Sequence, residues 1–408
     1  MKNKFISITL ASVLSAALLA GCGNTATITG STESSSATSS TEGQTEKSSG
    51  TSQKESSDEN TESHGKLAVS FPTGNIRIAI NILALEKGYF DEEGVEIEQV
   101  NLQGTDALTA INNGNGSLDV LNVGFVPDLQ AIGSGYDLKI IGGTAVEGGA
   151  IVAKKENADN YKNDDTVINI DGVTAAKLGF VRNESSWVIT RQYLLDNGVS
   201  ADTLSSIEDE NNGHISYYQD ETSVAQAVQK GEVDVAFLPM EYALLYADAY
   251  DLEVVAAAGD LQENYVCCRE VTSTSSLEEK YDAFVAYERA RIRAFEYYKQ
   301  GETDDTVKAD VVDTVAKFSG KETDYVETYL YGGVTKYAVD PNSTGVVKYV
   351  EAANNSGLLS SSATDFSTYD ITQNIDTSAY EEAITSLVEE NPDDTFYAQV
   401  LEEYKEAN

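Results

Sequence analysis

The sequence predicts an α/β body of two similar lobes, joined by a hinge of two crossing segments and followed by a helical C-terminal region. Three observations predict it. Strand and helix patterns alternate from Lys66 onward, one helix–strand unit occurs twice, and helix periodicity takes over after Leu277.

The 408 residues leave room for two or three domains, each with a core of its own. The 67 Asp and Glu against 27 Lys and Arg give a formal charge of -40. That charge opposes nucleic acid and anionic surfaces as partners. The 3 Cys and 2 His are too few for a disulfide scaffold or for a zinc site of thiolates and imidazoles. No metal, cofactor or catalytic residue is expected. The 23 Tyr are a surplus beside 5 Pro, 2 Met and 1 Trp.

Residues 1–21 read as an export signal. Lys2 and Lys4 precede a mostly apolar run from Phe5 to Leu19, shorter than the ~20 residues that span a bilayer. Leu19-Ala20-Gly21-Cys22 resembles the lipobox of bacterial lipoproteins. The resemblance implies cleavage before Cys22 and a diacylglyceryl group on its sulfur, and two acyl chains suffice for stable anchoring. The alternative is an ordinary secreted precursor with a chance cysteine. From Cys22 to residue 65 there is no aromatic residue and one large aliphatic, Ile28. Such a segment cannot bury enough surface to offset the entropy of ordering, so 22–65 reads as a tether, with His64 at its edge and without a role. No later stretch is apolar enough to span a membrane. The remainder therefore reads as a soluble body held near a membrane.

The elements follow in order. Leu67–Phe71 is a buried strand and Pro72-Thr73-Gly74-Asn75 the turn after it. Ile76, Ala79, Ile80, Leu83 and Ala84 share one helix face, and Gly88 ends that helix in a left-handed conformation. Val95–Glu98 alternates as a strand, Thr105–Asn113 is a short helix closed by Gly114, and Leu118–Val123 is a strand. The alternation implies a parallel sheet with helices on its faces.

Thr105 to Gly114, followed by Leu118-Asp119-Val120, matches Thr222 to Gly231, followed by Val233-Asp234-Val235. Asn115 and Gly116 are the only offset. Each copy reads as a helix capped by Thr, closed by Gly, and followed by a strand that opens with Asp after an aliphatic residue. Chance similarity of two common units is the alternative to two lobes of one design. Gly148–Lys154 is a strand leading into the polar stretch 155–165, where the second lobe begins. Ala176–Val181 is a strand, Arg182–Ser186 a turn, and Trp187–Asn197 a helix. Glu263–Arg269 returns the chain to the first lobe, and helices are expected over 277–300, 306–318, 323–331, 346–355 and 380–390. Lobe 1 is thus 66–154 with 265–408, and lobe 2 is 155–264. Two crossings make a hinge.

The segment Leu85-Glu86-Lys87-Gly88-Tyr89-Phe90-Asp91-Glu92-Glu93-Gly94-Val95 is similar to the ending of the first helix in the nitrate, sulfonate and thiamine-precursor binding proteins of ABC importers. Asn113-Gly114 through Asp119 with Gly124 and Pro127, and Lys230–Val235 with Pro239, resemble two further segments of that family. The resemblance covers roughly residues 66–270. It implies the type II periplasmic-binding-protein fold, capture of a small molecule between the lobes, and delivery to an ABC permease.

Ligands of open α/β sheets gather at the carboxyl ends of strands, near helix N-termini. Four loops meet that description. Thr73 and Asn75 offer hydrogen bonds in the first, and Gly124 and Phe125 a close approach and a ring face in the second. In the third, Arg182, Ser185, Ser186 and Trp187 surround a helix N-terminus that favours an anion. The fourth holds Glu241 and Tyr242. Ser185 is either a plain cap or a ligand contact, Trp187 either core or a cleft platform, and Arg182 pairs either with local acids such as Glu184 or with ligand. Asp119 and Asp234 read as structural, because they begin strands. Cys267 and Cys268, adjacent on a strand, point to opposite faces and read as buried hydrophobes.

The ligand is expected to be a nitrogen- or sulfur-containing anion or an aromatic heterocycle. The helix end favours the anion, the aromatic residues favour the ring, and the acidic balance weighs against a strong anion binder. Two alternatives remain: an extracellular enzyme of the same fold using the cysteine pair, and a surface sensor that has lost transport.

Overall fold

The computed structural model describes residues 62–408 apart from 115, 183 and 361. The expected signal segment, Cys22 and nearly all of the expected tether lie outside the described residues. The principal strands are β1 (Gly65–Ser70), β2 (Val95–Val100), β3 (Leu121–Gly124), β4 (Leu138–Gly143), β5 (Gly149–Lys154), β6 (Leu178–Val181), β7 (Ile215–Tyr218), β8 (Val235–Pro239), β9 (Leu252–Ala257) and β10 (Cys268–Ser273). The principal helices are α1 (Ala79–Glu86), α2 (Gly104–Asn112), α3 (Phe125–Gly133), α4 (Ser185–Asp196), α5 (Glu221–Lys230), α6 (Met240–Tyr246), α7 (Tyr281–Gln300), α8 (Asp305–Ser319), α9 (Thr323–Tyr331), α10 (Ser343–Asn355), α11 (Ser378–Glu390) and α12 (Thr395–Ala407).

Two sheets are built to one plan. In the first, β1 runs parallel to β2 and is joined to β3 by the parallel bridge Val69–Val120, while β10 lies antiparallel between β3 and β4. In the second, β6 runs parallel to β7 and β8, while β5 lies antiparallel between β8 and β9. The sheets are therefore mixed, where alternation alone suggested parallel ones. The odd strand in each is the one the chain lays down as it crosses from the other lobe. One boundary moves accordingly: β5, expected with lobe 1, belongs to the second sheet. A strand buried on both faces reads the same in either sheet, so the pattern reveals the strand and not its partners.

The duplicated unit recurs in three dimensions. Gly114 (φ 57°) and Gly231 (φ 71°) end α2 and α5 in the left-handed region that spares a Cβ clash. The caps differ from expectation. Thr105 and Thr222 lie in the first turns; α2 has no side-chain cap, and α5 is capped by Asp220, whose carboxylate accepts from the Ser223 amide at 2.7 Å. The two aspartates do the same work in both lobes. Asp119 Oδ2 accepts from the Ala68 amide (2.8 Å) and its own amide donates to the Ala68 carbonyl (2.7 Å). Asp234 Oδ2 accepts from the Lys177 amide (2.9 Å) and its amide donates to the Lys177 carbonyl (2.8 Å). Each side chain ties the start of one strand to its parallel neighbour.

The C-terminal helices follow expectation with two differences. The run from Leu277 breaks at Lys280, separating a turn of helix (Thr274–Glu279) from α7. Helix α12, not anticipated, packs Tyr397, Val400 and Tyr404 inward and contacts α11 and α10. Helices α9 and α10 also reach the second lobe, touching α6 and α4 respectively. Most tyrosines find a use in this region: Tyr287 stacks on Phe90, Tyr349 tilts against Phe125, and Tyr298 stacks on Tyr331. Among the described residues no helix is long and apolar enough to cross a membrane.

Candidate functional site

A cavity of about 470 Å³ lies between the lobes, in the range usual for small-molecule sites. It opens at the carboxyl ends of β1, β3, β6 and β8, the place an open α/β sheet presents to ligands. Each wall is placed by local sequence. After β1, the turn at Pro72–Asn75 runs on as irregular chain to Ile78, because α1 begins only at Ala79. Arg77, which helix periodicity would put on a helix, is therefore in the loop. Asn75 Oδ1 accepts from the Arg77 amide (2.9 Å) and fixes it. The Arg77 side chain crosses the cleft, with Nε 3.0 Å from Glu241 Oε1 at the start of α6.

The third loop departs most from expectation. The cap of α4 is Glu184, not Ser185, and its Oε1 accepts from the Ser186 amide (3.1 Å) and Ser186 Oγ (2.7 Å). The helix end that was expected to receive an anion already holds a carboxylate. Burial pushes the Glu184 carboxyl up from its ordinary value, the bonds from Ser186 oppose this, and Glu221 and Glu241 add to it. Arg182 pairs with Glu210 (3.0 Å) instead of Glu184 and lies 3.9 Å from the centroid of Tyr217.

The expected residues are distributed as follows. Asn75, Gly124, Phe125, Arg182 and Ser185 line the cavity, although Phe125 is fully buried and its ring packs on Tyr349. Thr73 is exposed, and its amide donates to Asn101 Oδ1 (3.2 Å). Ser186 is buried beneath the helix end. Trp187 belongs to the second-lobe core, stacking on Phe180, with Nε1 donating to Glu208 (3.2 Å). Glu241 stands behind Arg77, and Tyr242 stacks on Tyr246 outside the cavity lining.

Arg77, Thr144 and Glu221 line the cavity outside the four expected loops; Asn122 and Glu184 lie in the second and third of those loops but are not among the expected contacts, and the cysteine pair, expected as packing, lines the cavity too. Asn122 and Thr144 are buried, and neither the Asn122 carboxamide nor the Thr144 hydroxyl has a partner. Cys267 and Cys268 do not face opposite ways. Cys267 precedes β10, where the chain is not yet pleated, and the two sulfurs sit 3.6 Å apart against the cavity. The hydrogen bond between the two thiols is the main influence on both: it raises Cys267 and lowers Cys268. No trio of His, Cys, Asp or Glu among the described residues is placed to hold a metal ion.

Two lobes on one plan, a mixed sheet in each, two crossings and a cleft at the strand ends together define the type II periplasmic-binding-protein fold. Solved structures share it. The alkanesulfonate-binding protein SsuA from Xanthomonas axonopodis pv. citri, bound to MOPS, matches with TM-score 0.56 and 15% identity over 76% of this chain and 98% of its own. The periplasmic nitrate-binding protein NrtA from Synechocystis PCC 6803 matches with TM-score 0.59 and 15% identity over 79% and 89%. A zinc-bound ligand-binding component of an ABC-type import system from Staphylococcus aureus gives TM-score 0.58 and 13% identity over 78% and 99%. The sequence matches no family model, and a search of curated proteins finds no relative. At these identities the likeness is one of fold.

Proposed function

We propose that this chain is an extracytoplasmic solute-binding protein, anchored by a diacylglyceryl group on Cys22, that closes its lobes on a small molecule and presents the closed form to an ABC importer. The observation that carries the reading is the cavity itself, walled by the strand ends of both lobes and crossed by only two segments of chain. A cleft so placed can change shape by bending at the crossings, and a ligand touching both walls favours the closed state through its differential affinity. Among the solved neighbours are an alkanesulfonate-binding protein, a nitrate-binding protein and a ligand-binding component of an ABC-type import system, which supports the same task here. The chain acts by binding and release, with no catalytic step. The lipobox-like Leu19–Cys22 supports the anchor, and the composition of the stretch that follows it, without an aromatic residue and with one large aliphatic, supports a tether.

Isothermal titration and thermal shift with nitrate, alkanesulfonates, pyrimidines and small amines test the reading, with a rise in melting temperature expected for one class. A folded protein indifferent to all of them would speak against it. Metabolic labelling with a radioactive fatty acid tests the anchor: label should enter the wild-type chain and be absent from Cys22→Ser.

A further inference from the structure

We infer that the cleft selects a small organic cation carrying N–H donors, such as a protonated amine or amidine, and rejects oxyanions. The inference rests on the solute-binding reading and names the ligand class of that same site.

Charge is the first observation. Two guanidiniums and two carboxylates line the cavity, with a third carboxylate just behind it. Both guanidiniums are already matched: Arg77 by Glu241, and Arg182 by Glu210 from outside the cavity and by the Tyr217 ring. Among the described residues neither Glu184 nor Glu221 forms a salt bridge, and Glu184 Oε1 is bonded by Ser186 instead. The helix N-terminus that could have bound an anion is filled by Glu184, whose oxygen takes the Ser186 amide and hydroxyl. An oxyanion entering here would find the Ser186 amide and hydroxyl already taken by Glu184 and would face the carboxylates of Glu184 and Glu221.

The second observation is independent of charge. Asn122 (5% exposed) and Thr144 (1% exposed) line the cavity with all their side-chain polar atoms unpartnered, and Oε2 of Glu241 (8% exposed) is unpartnered too. Buried groups of this kind are costly to leave unbonded, so a bound molecule that bonds them gains from doing so. Two oxygens, Asn122 Oδ1 in the lining and Glu241 Oε2 just behind it, can only accept and call for donors, which an ammonium or amidinium supplies and a nitrate or sulfonate lacks, while the Thr144 hydroxyl can accept or donate. The Asn122 NH₂ can bond a neutral acceptor on the same ligand. Burial pushes the Glu184 carboxyl up, and neighbouring Glu221 and Glu241 push it the same way, as expected where positive charge is lacking.

The experiment compares nitrate and methanesulfonate with putrescine, agmatine and benzamidine by titration calorimetry on the full soluble chain, with choline as a cation without N–H donors. At least one N–H cation should bind, with neither anion doing so and choline weaker. Glu221→Gln should lower affinity about tenfold or more while leaving the melting temperature of the free protein unchanged. Binding of an anion with silence from the cations would overturn this inference and leave the solute-binding reading standing. Silence from every probe would overturn this inference, and silence that extended to the pyrimidines as well would overturn the solute-binding reading too. Choline binding as well as the best amine would remove the hydrogen-bonding half of the inference, and an unchanged affinity in Glu221→Gln the electrostatic half.

Discussion

Glu147 and Asn264, one on each crossing segment, are joined across the hinge: the Asn264 amide donates to Glu147 Oε1 at 2.6 Å. Both residues sit in the left-handed region, at φ 59° and 55°, where a side chain is uncommon. The Glu147 amide in turn donates to the Tyr265 carbonyl (3.3 Å), and Lys336 reaches the same Oε1 at 3.0 Å. Asn tolerates this conformation better than β-branched residues, for which it is strained. Asn264→Gly should melt within about 0.5 kcal/mol of wild type, whereas Asn264→Val should lose about 1–2 kcal/mol. Equal melting of the two in a denaturant titration would mean that the hinge is not held in this geometry.

The Arg77–Glu241 pair spans the cleft, with side chains 30% and 11% exposed. Partial exposure screens it, so a double-mutant cycle of Arg77→Ala and Glu241→Gln should return a coupling of about 1–2 kcal/mol. The same cycle on Arg182 and Glu210, 62% and 57% exposed, should return less than about 0.5 kcal/mol. Similar values for the two pairs would mean that the Arg77–Glu241 contact does not hold the two lobes together.

Asp119 and Asp234 make the same two bonds and differ in burial. Asp119 is fully buried and also takes Lys280 Nζ at 2.7 Å, and Ser276 Oγ bonds its other oxygen. Asp119→Ala strands the Ala68 amide and should cost about 3 kcal/mol; Asp234→Ala, at a half-buried position, about 1 kcal/mol. Calorimetric melts of the two variants should rank in that order.

In the first lobe Arg291 is buried between Glu270 and Glu288, with Nη1 2.6 Å from Glu288 Oε2 and Nε donating to Asn81 Oδ1 at 3.1 Å. Burial pushes the Glu288 carboxyl up to about 8, against the pull of Arg291. A carboxyl raised by folding holds its proton in the native state after the unfolded chain has released it. Stability therefore falls as pH rises from the unfolded value near 4.5 towards 8, and is flat above. The slope is about 1.4 kcal/mol per pH unit for one group. Glu288→Gln should flatten the melting profile between pH 5 and 8; a profile as steep as wild type would assign the dependence to other groups.

Gly124 has an ordinary φ of -59°, and a Cβ built there meets only the Pro127 Cδ at 3.9 Å. The fold does not need the glycine, so Gly124→Leu should keep its melting temperature within the effect of about 0.5 kcal/mol usual for tolerated sites. Because Gly124 lines the cavity, ligand affinity should fall at least tenfold in titration calorimetry, or about 1.4 kcal/mol. Unchanged affinity would place the ligand elsewhere.

Much of the fold was legible in local patterns. Periodicity located the strands and most helices, and the repeated Thr–Gly–Asp unit located the matching brackets at Asp119 and Asp234, because a left-handed glycine and a strand-opening aspartate are local requirements. The site was less legible. Arg77 stood one residue inside an apparent helix face, and only the Asn75 turn that delays α1 puts it in the cleft. Glu184 stood before two serines that looked like better caps. Trp187 and Tyr242 had the right residue type and sequence position, but their rings turn into neighbouring aromatics.

By itself the sequence determined the α/β class, the duplicated unit, and the loops at the strand ends that line the cavity, since these depend on short-range periodicity and turn chemistry. Tertiary structure alone decided which sheet receives the crossing strand β5, which carboxylates are matched by Arg77 and Arg182, and which polar groups of the cleft are left for a ligand. Those are pairings between residues far apart in the chain, and no local pattern records a partner.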